Sequence, residues 1–81
     1  MENYGKYVQA FMKGLELDSE EGITALEYQS IVQWDSVGHM GLVAEIEDTF
    51  EIEMETDDII DFNSFVKGIE LLKKYGIEIT I

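Results

Sequence analysis

Residues 34–50 read WDSVGHMGLVAEIEDTF, and this stretch decides the fold. Asp35 and Ser36 are both residue types that favour the N-terminus of a helix. The residues after them place apolar side chains at helical spacing, at Leu42, Val43, Ile46 and Phe50. Such a stripe is typical of an amphipathic helix with one face against a core. The stretch therefore predicts a helix that begins at Asp35 or Ser36.

Similar patterns on either side predict a first helix and a long connection. The first helix covers residues 3–15, where the apolar positions at helical spacing are Tyr4, Tyr7, Val8, Phe11, Met12 and Leu15. Residues 16–33 show no clear period, and the segment is long for a connection without structure. We expect a packed loop that contains at most one short helical turn.

Two further helices are predicted after residue 50. Thr56, Asp57 and Asp58 look like a cap followed by acids in a first turn, which a helix dipole favours. They would start a short helix that carries three apolar residues, Ile59, Ile60 and Phe62. Asn63 or Ser64 would cap the last helix, whose expected stripe is Phe65, Val66, Ile69 and Leu72. Gly76 is a plausible C-terminal stop, with Lys73 and Lys74 just before it.

Residues 50–55 and 77–81 alternate between apolar and polar types, which is typical of strands. Pairing the two segments would set acids against acids with no lysine to offset the repulsion. We therefore expect residues 50–55 to form an extended loop that turns Ile52 and Met54 inward, and we leave the order of the tail open. The predicted fold is all-α: a single domain over residues 1–81 with four helices, a long first loop and a short third helix.

Composition narrows the function further. The 81-residue chain carries a net charge of −13, and no basic residue lies between Lys13 and Lys67. Such a field repels nucleic acid and anionic membranes but attracts basic protein surfaces. The chain has no cysteine and no apolar run long enough to span a membrane. We expect a cytoplasmic monomer that binds neither nucleic acid nor the membrane interior.

Ser36 is the residue best placed to carry a chemical modification. The N-terminus of a helix presents unpaired N–H groups and partial positive charge, so a phosphate is stabilised there. If Asp35 is the cap, Ser36 becomes the first helical residue and its hydroxyl is free to face solvent. If Ser36 is itself the cap, its role is structural only.

The run from Trp34 to Met40, with Asp35-Ser36-Val37 at its centre, resembles the attachment site of acyl carrier proteins. The usual motif of that family is Asp-Ser-Leu, from which Val37 departs. Trp34 and the Gly38-His39-Met40 run are similar to discrete carriers outside the main housekeeping type. The resemblance covers nearly the whole chain and implies a four-helix acyl-carrier fold.

The resemblance also implies a function and a cofactor. A phosphopantetheinyl transferase would move 4′-phosphopantetheine from coenzyme A onto Ser36, and the arm's thiol would hold acyl groups as thioesters. The protein would be a non-catalytic carrier that presents intermediates to acyl-loading, acyl-transfer or synthase enzymes with basic surfaces. The pathway would be fatty acid, polyketide or related lipid synthesis. The expected partner-binding residues are Asp35, Val37, Met40, Gly41, Ala44, Glu47 and Asp48.

Two questions stay open in the sequence. Gly38 and Gly41 weaken the helix, and they either allow a partner to approach or loosen the helix start. An acyl chain could be sheltered among Leu42, Val43, Ile46, Ile59 and Phe65, although these also read as ordinary core.

Two other functions compete with the carrier. An acidic helical calcium-binding or adaptor module fits the composition, but the acids after residue 50 lack the spacing of an EF-hand loop. A hydrolase would use Ser36 with His39 as its base, although no third orienting group is evident and the Gly-x-Ser-x-Gly pattern is absent. The simpler interpretation of His39 is a partly exposed helix residue.

Overall fold

A computed structural model describes residues 2–80, with side chains from residue 3 onward. The elements in chain order are α1 (Glu2–Gly14), a 3₁₀ turn (Ile23–Ala25), α2 (Ser36–Phe50), α3 (Thr56–Asp61) and α4 (Phe65–Lys73). Within the described residues there is no strand, only an isolated bridge between Glu27 and Ser64. The prediction of an all-helical chain is confirmed, as are the long first loop and the short third helix.

An aromatic cluster forms the centre of the core. Phe11 on α1 is fully buried, and its ring centroid lies 5.0 Å from those of Tyr7 and Phe65 and 5.4 Å from that of Trp34. Phe62 lies 6.0 Å away from Phe11 and closes the cluster. Trp34, Phe62 and Phe65 are thus core residues, and they join α1, the first loop and α4 through one set of contacts.

Two glycines let the helices approach the core closely. A Cβ at Gly14 would lie 2.6 Å from the Cα of Leu42, so α1 and α2 cross backbone to backbone at this point. A Cβ at Gly68 on α4 would collide with the hydroxyl of Tyr7 and the ring of Phe62. The Tyr7 hydroxyl fills that space and donates a 2.7 Å hydrogen bond to the carbonyl of Phe65, while burial raises the pKa of Tyr7.

Some predicted boundaries and faces need correction. Thr56 is not a cap: it is the first residue of α3, and Glu55 before it makes no side-chain capping bond. The predicted acids in the first turn are present. On α4, Ser64 is the cap and accepts the N–H of Lys67 at 2.9 Å, but Val66 is 52% exposed. Leu71 is buried in the core instead of Val66, because the face of α4 that packs on the other elements contains Leu71.

Neither alternating segment forms a strand, and both turn apolar side chains inward. The predicted extended loop begins later than expected, because Phe50 is the last residue of α2 and Glu51 has a left-handed backbone, with φ at 55°. Met54 is buried and Ile52 is partly buried, as predicted, and the N–H of Met54 is bound by a carboxylate oxygen of Glu47 at 2.8 Å. Near the C-terminus, Ile79 is buried and the carbonyl of Glu78 accepts a bond from Asn3 at 3.0 Å. Residue 81, the end of the tail whose order was left open, lies outside the described residues.

Candidate functional site

Ser36 is exposed at the first position of α2. Asp35 has an extended backbone, with φ at −101°, and its Oδ1 accepts the N–H of Gly38 at 2.7 Å. Its carbonyl accepts the N–H of His39 at 2.8 Å, which is the first bond of the helix. Asp35 is therefore the cap and Ser36 the first helical residue. The alternative, with Ser36 as the cap, is wrong.

This arrangement suits an attached phosphate group. The N–H groups of Ser36 and Val37 lie in the first turn, where a helix leaves them without an internal partner. The Asp35 carboxylate accepts the N–H of Gly38, so the Ser36 side chain is not needed to cap the helix. A phosphodiester on the Ser36 hydroxyl would lie at the positive end of a 15-residue helix, which stabilises its charge. The residues present thus fit 4′-phosphopantetheine.

Gly38 sets the position of the serine. A Cβ at residue 38 would collide with the carbonyl oxygen of Gln33 and lie 3.3 Å from Asp35 Oδ1. The first turn of α2 therefore packs directly on the backbone of the preceding loop. A Cβ at Gly41 would lie 3.1 Å from the carbonyl oxygen of Gly14. Both glycines serve close approach within the chain itself, a role that the sequence did not reveal.

A cleft of about 430 Å³ opens beside Ser36. It lies between the first loop, the start of α2 and the segment formed by α3 and the two residues after it. Its lining is mainly apolar and consists of Tyr28, Ser36, His39, Met40, Ile59, Ile60, Phe62 and Asn63. Concave, mostly apolar sites with a few polar groups are the usual form of small-ligand sites.

His39 is half-buried at the inner wall of this cleft. Its Nδ1 lies 3.0 Å from Trp34 Nε1, and its Nε2 lies 2.8 Å from the carbonyl oxygen of Ile59. An indole nitrogen only donates and a carbonyl only accepts, so Nδ1 accepts and Nε2 carries the proton. The predicted partial exposure is confirmed. Both nitrogens are already bonded, so in this arrangement neither is available as a base for Ser36.

Exposed apolar side chains surround the serine. Val37 is 79% exposed and Met40 59% exposed on α2, and Ile60 on α3 is 71% exposed. Val32, in the loop before α2, is 90% exposed. Val37 and Met40 are two of the predicted partner residues. Ile60 was not predicted to belong to this surface, because it lies on α3 and only the fold brings α3 beside the start of α2.

The remaining predicted partner residues fall into two groups. Gly41, Ala44 and Asp48 are exposed on α2, as is Asp35 before it. Glu47 is half-buried and binds the N–H of Met54, so part of its carboxylate is already committed. Of the five side chains proposed to shelter an acyl chain, Ile59 alone lines the cleft. Leu42, Val43, Ile46 and Phe65 are buried in the core.

A buried carboxylate holds α3 in place. Asp58 is 2% exposed and accepts hydrogen bonds from Lys74 Nζ at 2.7 Å and from the Tyr75 hydroxyl at 2.5 Å. The bond from Lys74 contributes most to lowering the pKa of Asp58, and the bond from Tyr75 adds to it. The same carboxylate raises the pKa of Lys74, while desolvation and then the bond to Asp58 raise that of Tyr75. This cluster connects α3, one wall of the cleft, to the end of α4. The sequence had indicated Asp58 only as an acid in a first helical turn and Lys74 only as a residue near a helix end, so this contact was not predicted.

Residues 3–80 contain no group of three or more histidine, aspartate or glutamate side chains arranged to hold a metal ion. The calcium-binding alternative thus has no assembled ligand set there. None of the helices in that part of the chain has the length and apolarity needed to cross a membrane.

Comparison with known proteins adds no relative. The chain matches no protein-family model, no curated protein and no solved structure.

Proposed function

We propose that this chain is an acyl carrier protein. Ser36 would carry 4′-phosphopantetheine and present thioester-bound acyl groups to enzymes of a fatty acid, polyketide or related lipid pathway. The observation that carries the proposal is the exposed Ser36 hydroxyl in the first helical position, beside its capping residue Asp35 and at the mouth of an apolar cleft. The four-helix arrangement with a long first loop is the fold expected of such a carrier.

Each residue at the helix start has a defined task in this function. Asp35 holds the first turn through Gly38, so the serine is presented in a fixed position. The N–H groups of Ser36 and Val37 stabilise the phosphate through the helix dipole. The arm supplies the thiol, which the chain, having no cysteine, lacks. The protein contributes attachment, position and surface, and a transferase and acyl-transfer enzymes perform the reactions.

The partner surface is apolar near the serine and acidic beyond it. Val37, Met40 and Ile60 would contact a partner around the attachment point. Asp48 is exposed about three helical turns farther along α2 and would pair with basic residues of that partner. Since Glu47 already binds Met54, Asp48 is the better candidate for this pairing. We place the carrier in the cytoplasm as a monomer.

Intact-mass spectrometry tests the attachment. The protein is incubated with coenzyme A, Mg²⁺ and a broad-specificity phosphopantetheinyl transferase. The natural chain should gain the mass of one arm, and Ser36→Ala should gain none. Ser19→Ala removes an exposed loop serine and is the matched control, which should load normally. Failure of the natural chain to load with several transferases, or normal loading of Ser36→Ala, would overturn the proposal.

A further inference from the structure

We propose that His39 is the positioning residue of the turn that carries Ser36, and that a second proton on its ring releases this turn. The neutral imidazole joins the first loop, α2 and α3 through its bonds to Trp34 and Ile59, which we call the His39 joint. The joint is a property of the chain's own side chains. Its consequence for the loading of Ser36 rests on the proposed carrier function.

The first bond of the His39 joint spans the attachment turn, residues 34–39. Trp34 Nε1 donates to His39 Nδ1 at 3.0 Å, and the two rings are stacked with their centroids 6.2 Å apart. The backbone N–H of His39 is also bonded to the carbonyl of Asp35, at 2.8 Å. Because Trp34 is fully buried directly before Asp35 and Ser36, the bond between the rings fixes the chain on both sides of the serine.

The indole N–H of Trp34 depends on His39 for its hydrogen bond. Since the Trp34 side chain is fully buried, water does not reach this N–H as a substitute partner. In residues 3–80 every buried side-chain nitrogen and oxygen has a partner, and for Trp34 that partner is His39 Nδ1. Leaving a buried donor unpaired is costly, so the folded chain favours an acceptor at this position.

A second proton on the ring would reverse the role of His39 Nδ1. In the neutral ring Nδ1 accepts a hydrogen bond, whereas in the imidazolium both nitrogens are donors. Two N–H groups would then face each other where the structure has a 3.0 Å hydrogen bond, so the ring has to leave Trp34. Histidine ordinarily takes up this proton at about pH 6.5. Since the joint uses the neutral form alone, its contribution is present above that pH and is lost as the pH falls below it.

No described carboxylate offsets this effect by binding the ring, because its two nitrogens contact Trp34 and Ile59. The titratable side chain in ring contact with His39 is that of Tyr28 in the first loop, with centroids 5.5 Å apart. Carboxyl groups ordinarily titrate at about pH 4 and tyrosines at about pH 10, so a transition at about pH 6 reports the histidine. The acids of the attachment turn and of α3 are exposed or bound to other residues, and they are Asp35, Asp57, Asp58 and Asp61.

Nuclear magnetic resonance tests the joint in the natural chain. The chain contains one tryptophan and one histidine, so each nitrogen of the bond between them gives a single signal. In ¹⁵N-labelled protein at about pH 7.5, Nε2 should carry the proton, and a scalar coupling across the hydrogen bond should join Trp34 Nε1 to His39 Nδ1. Toward about pH 5 the coupling should disappear as Nδ1 gains its proton. Hydrogen-exchange protection of the Gly38 and His39 amides should then fall by about tenfold or more.

Two variants of His39 separate the two bonds of the joint. In His39→Asn the amide oxygen reaches the place of Nδ1, so Trp34 keeps an acceptor that does not titrate. Protection of the attachment turn should then be independent of pH over this range. In His39→Gln the amide nitrogen reaches the place of Nε2 and keeps only the bond to Ile59, so the turn should be poorly protected at every pH. Asp61→Asn removes an exposed acid of α3 and is the control that should keep the natural profile.

The rate of Ser36 loading gives the functional readout. Initial rates with a phosphopantetheinyl transferase are measured over the same pH range for the natural chain and for His39→Asn. The ratio of the two rates removes the pH dependence of the transferase itself. We expect a ratio of about 1 at neutral pH and a severalfold fall in acid, because the natural chain alone releases the turn.

Three results would overturn the inference. One is a proton on His39 Nδ1, or no coupling to Trp34, at neutral pH. Another is a protonated ring that leaves the protection of the Gly38 and His39 amides unchanged. The third is a loading ratio that stays constant although the coupling has disappeared.

The outcome is separable from that of the carrier assay. A chain that no transferase loads would remove the carrier function, while the coupling and the amide protection would still decide whether His39 holds the turn. Loading of Ser36 together with a joint that does not respond to pH would keep the carrier function and remove this inference.

Discussion

Apolar side chains are buried in the region around Phe11 but exposed in the region around Ser36. Around Phe11, aromatic rings from α1, α4 and the first loop are removed almost completely from water. Near Ser36, three apolar side chains remain largely exposed to water, those of Val37, Met40 and Ile60. Other parts of the surface are rich in acidic residues. Single exposed apolar residues are ordinary. The proposed function uses this group of exposed apolar side chains as the surface that contacts a partner. One end supplies stability, and the other presents the serine.

The sharpest test of this contrast is a pair of truncations. Phe11→Ala removes the centre of the core and should lower the free energy of unfolding by about 3–5 kcal/mol. Val37→Ala, at 79% exposure, should change it by less than about 0.5 kcal/mol. Urea denaturation followed by circular dichroism measures both. Equal losses would mean that the exposed valine is part of the core after all.

A second pair of variants, Gly38→Ala and Gly5→Ala, tests whether the backbone at the start of α2 is closely packed although the side chains there are exposed. A methyl group at Gly38 meets the carbonyl of Gln33, so Gly38→Ala should cost about 1–3 kcal/mol and slow the loading of Ser36. Gly5→Ala, where a Cβ meets nothing within 4 Å, should instead stabilise α1 by about 0.5–1 kcal/mol. The same denaturation assay compares them, and a gain in stability for Gly38→Ala would contradict the close packing of this turn.

Acid should loosen α3 before it affects the aromatic core. Because the folded pKa of Asp58 is lowered, its contribution is present above the unfolded value of about 3.9 and is lost as the pH falls through the folded value. The raised pKa values of Lys74 and Tyr75 act at the alkaline end, where their contributions are lost as the pH rises through them. Asp58→Asn should melt several degrees lower at neutral pH and show a weaker acid dependence.

The neighbouring Asp57 is the control for this prediction, since it lies in the same turn but is exposed. Melting curves of Asp57→Asn at each pH should stay close to those of the natural chain. If the two variants show the same profile, the ion pair does not hold α3.

The smallest effect is expected on partner encounter. Asp48→Lys should reduce the rate of Ser36 loading severalfold at low salt, with little change in stability, because it reverses an exposed charge on the proposed docking face. Glu21→Lys makes the same change in net charge from the first loop and should slow loading less. Initial rates at two salt concentrations distinguish the two, and identical rates would remove Asp48 from the docking face.

The sequence by itself determined the helices and the position of the serine. Helical periodicity and capping act over a few residues, so they predicted α2 and limited its cap to Asp35 or Ser36. The structure chose Asp35, which leaves Ser36 as the first helical residue. Periodicity was less reliable in predicting which side of a helix is buried. On α4 the predicted apolar stripe included Val66, which is exposed, and omitted Leu71, which is buried. The carrier function rests on that local pattern and stays a proposal.

The cleft and its inner wall were decided by tertiary structure alone. Twenty residues separate His39 from Ile59, and sixteen separate Asp58 from Lys74. Nothing in a local pattern states which distant carbonyl or ammonium a side chain will meet. Such bonds depend on how the helices cross, and that crossing is set by the shared burial of the aromatic core and by the glycines that allow close contact.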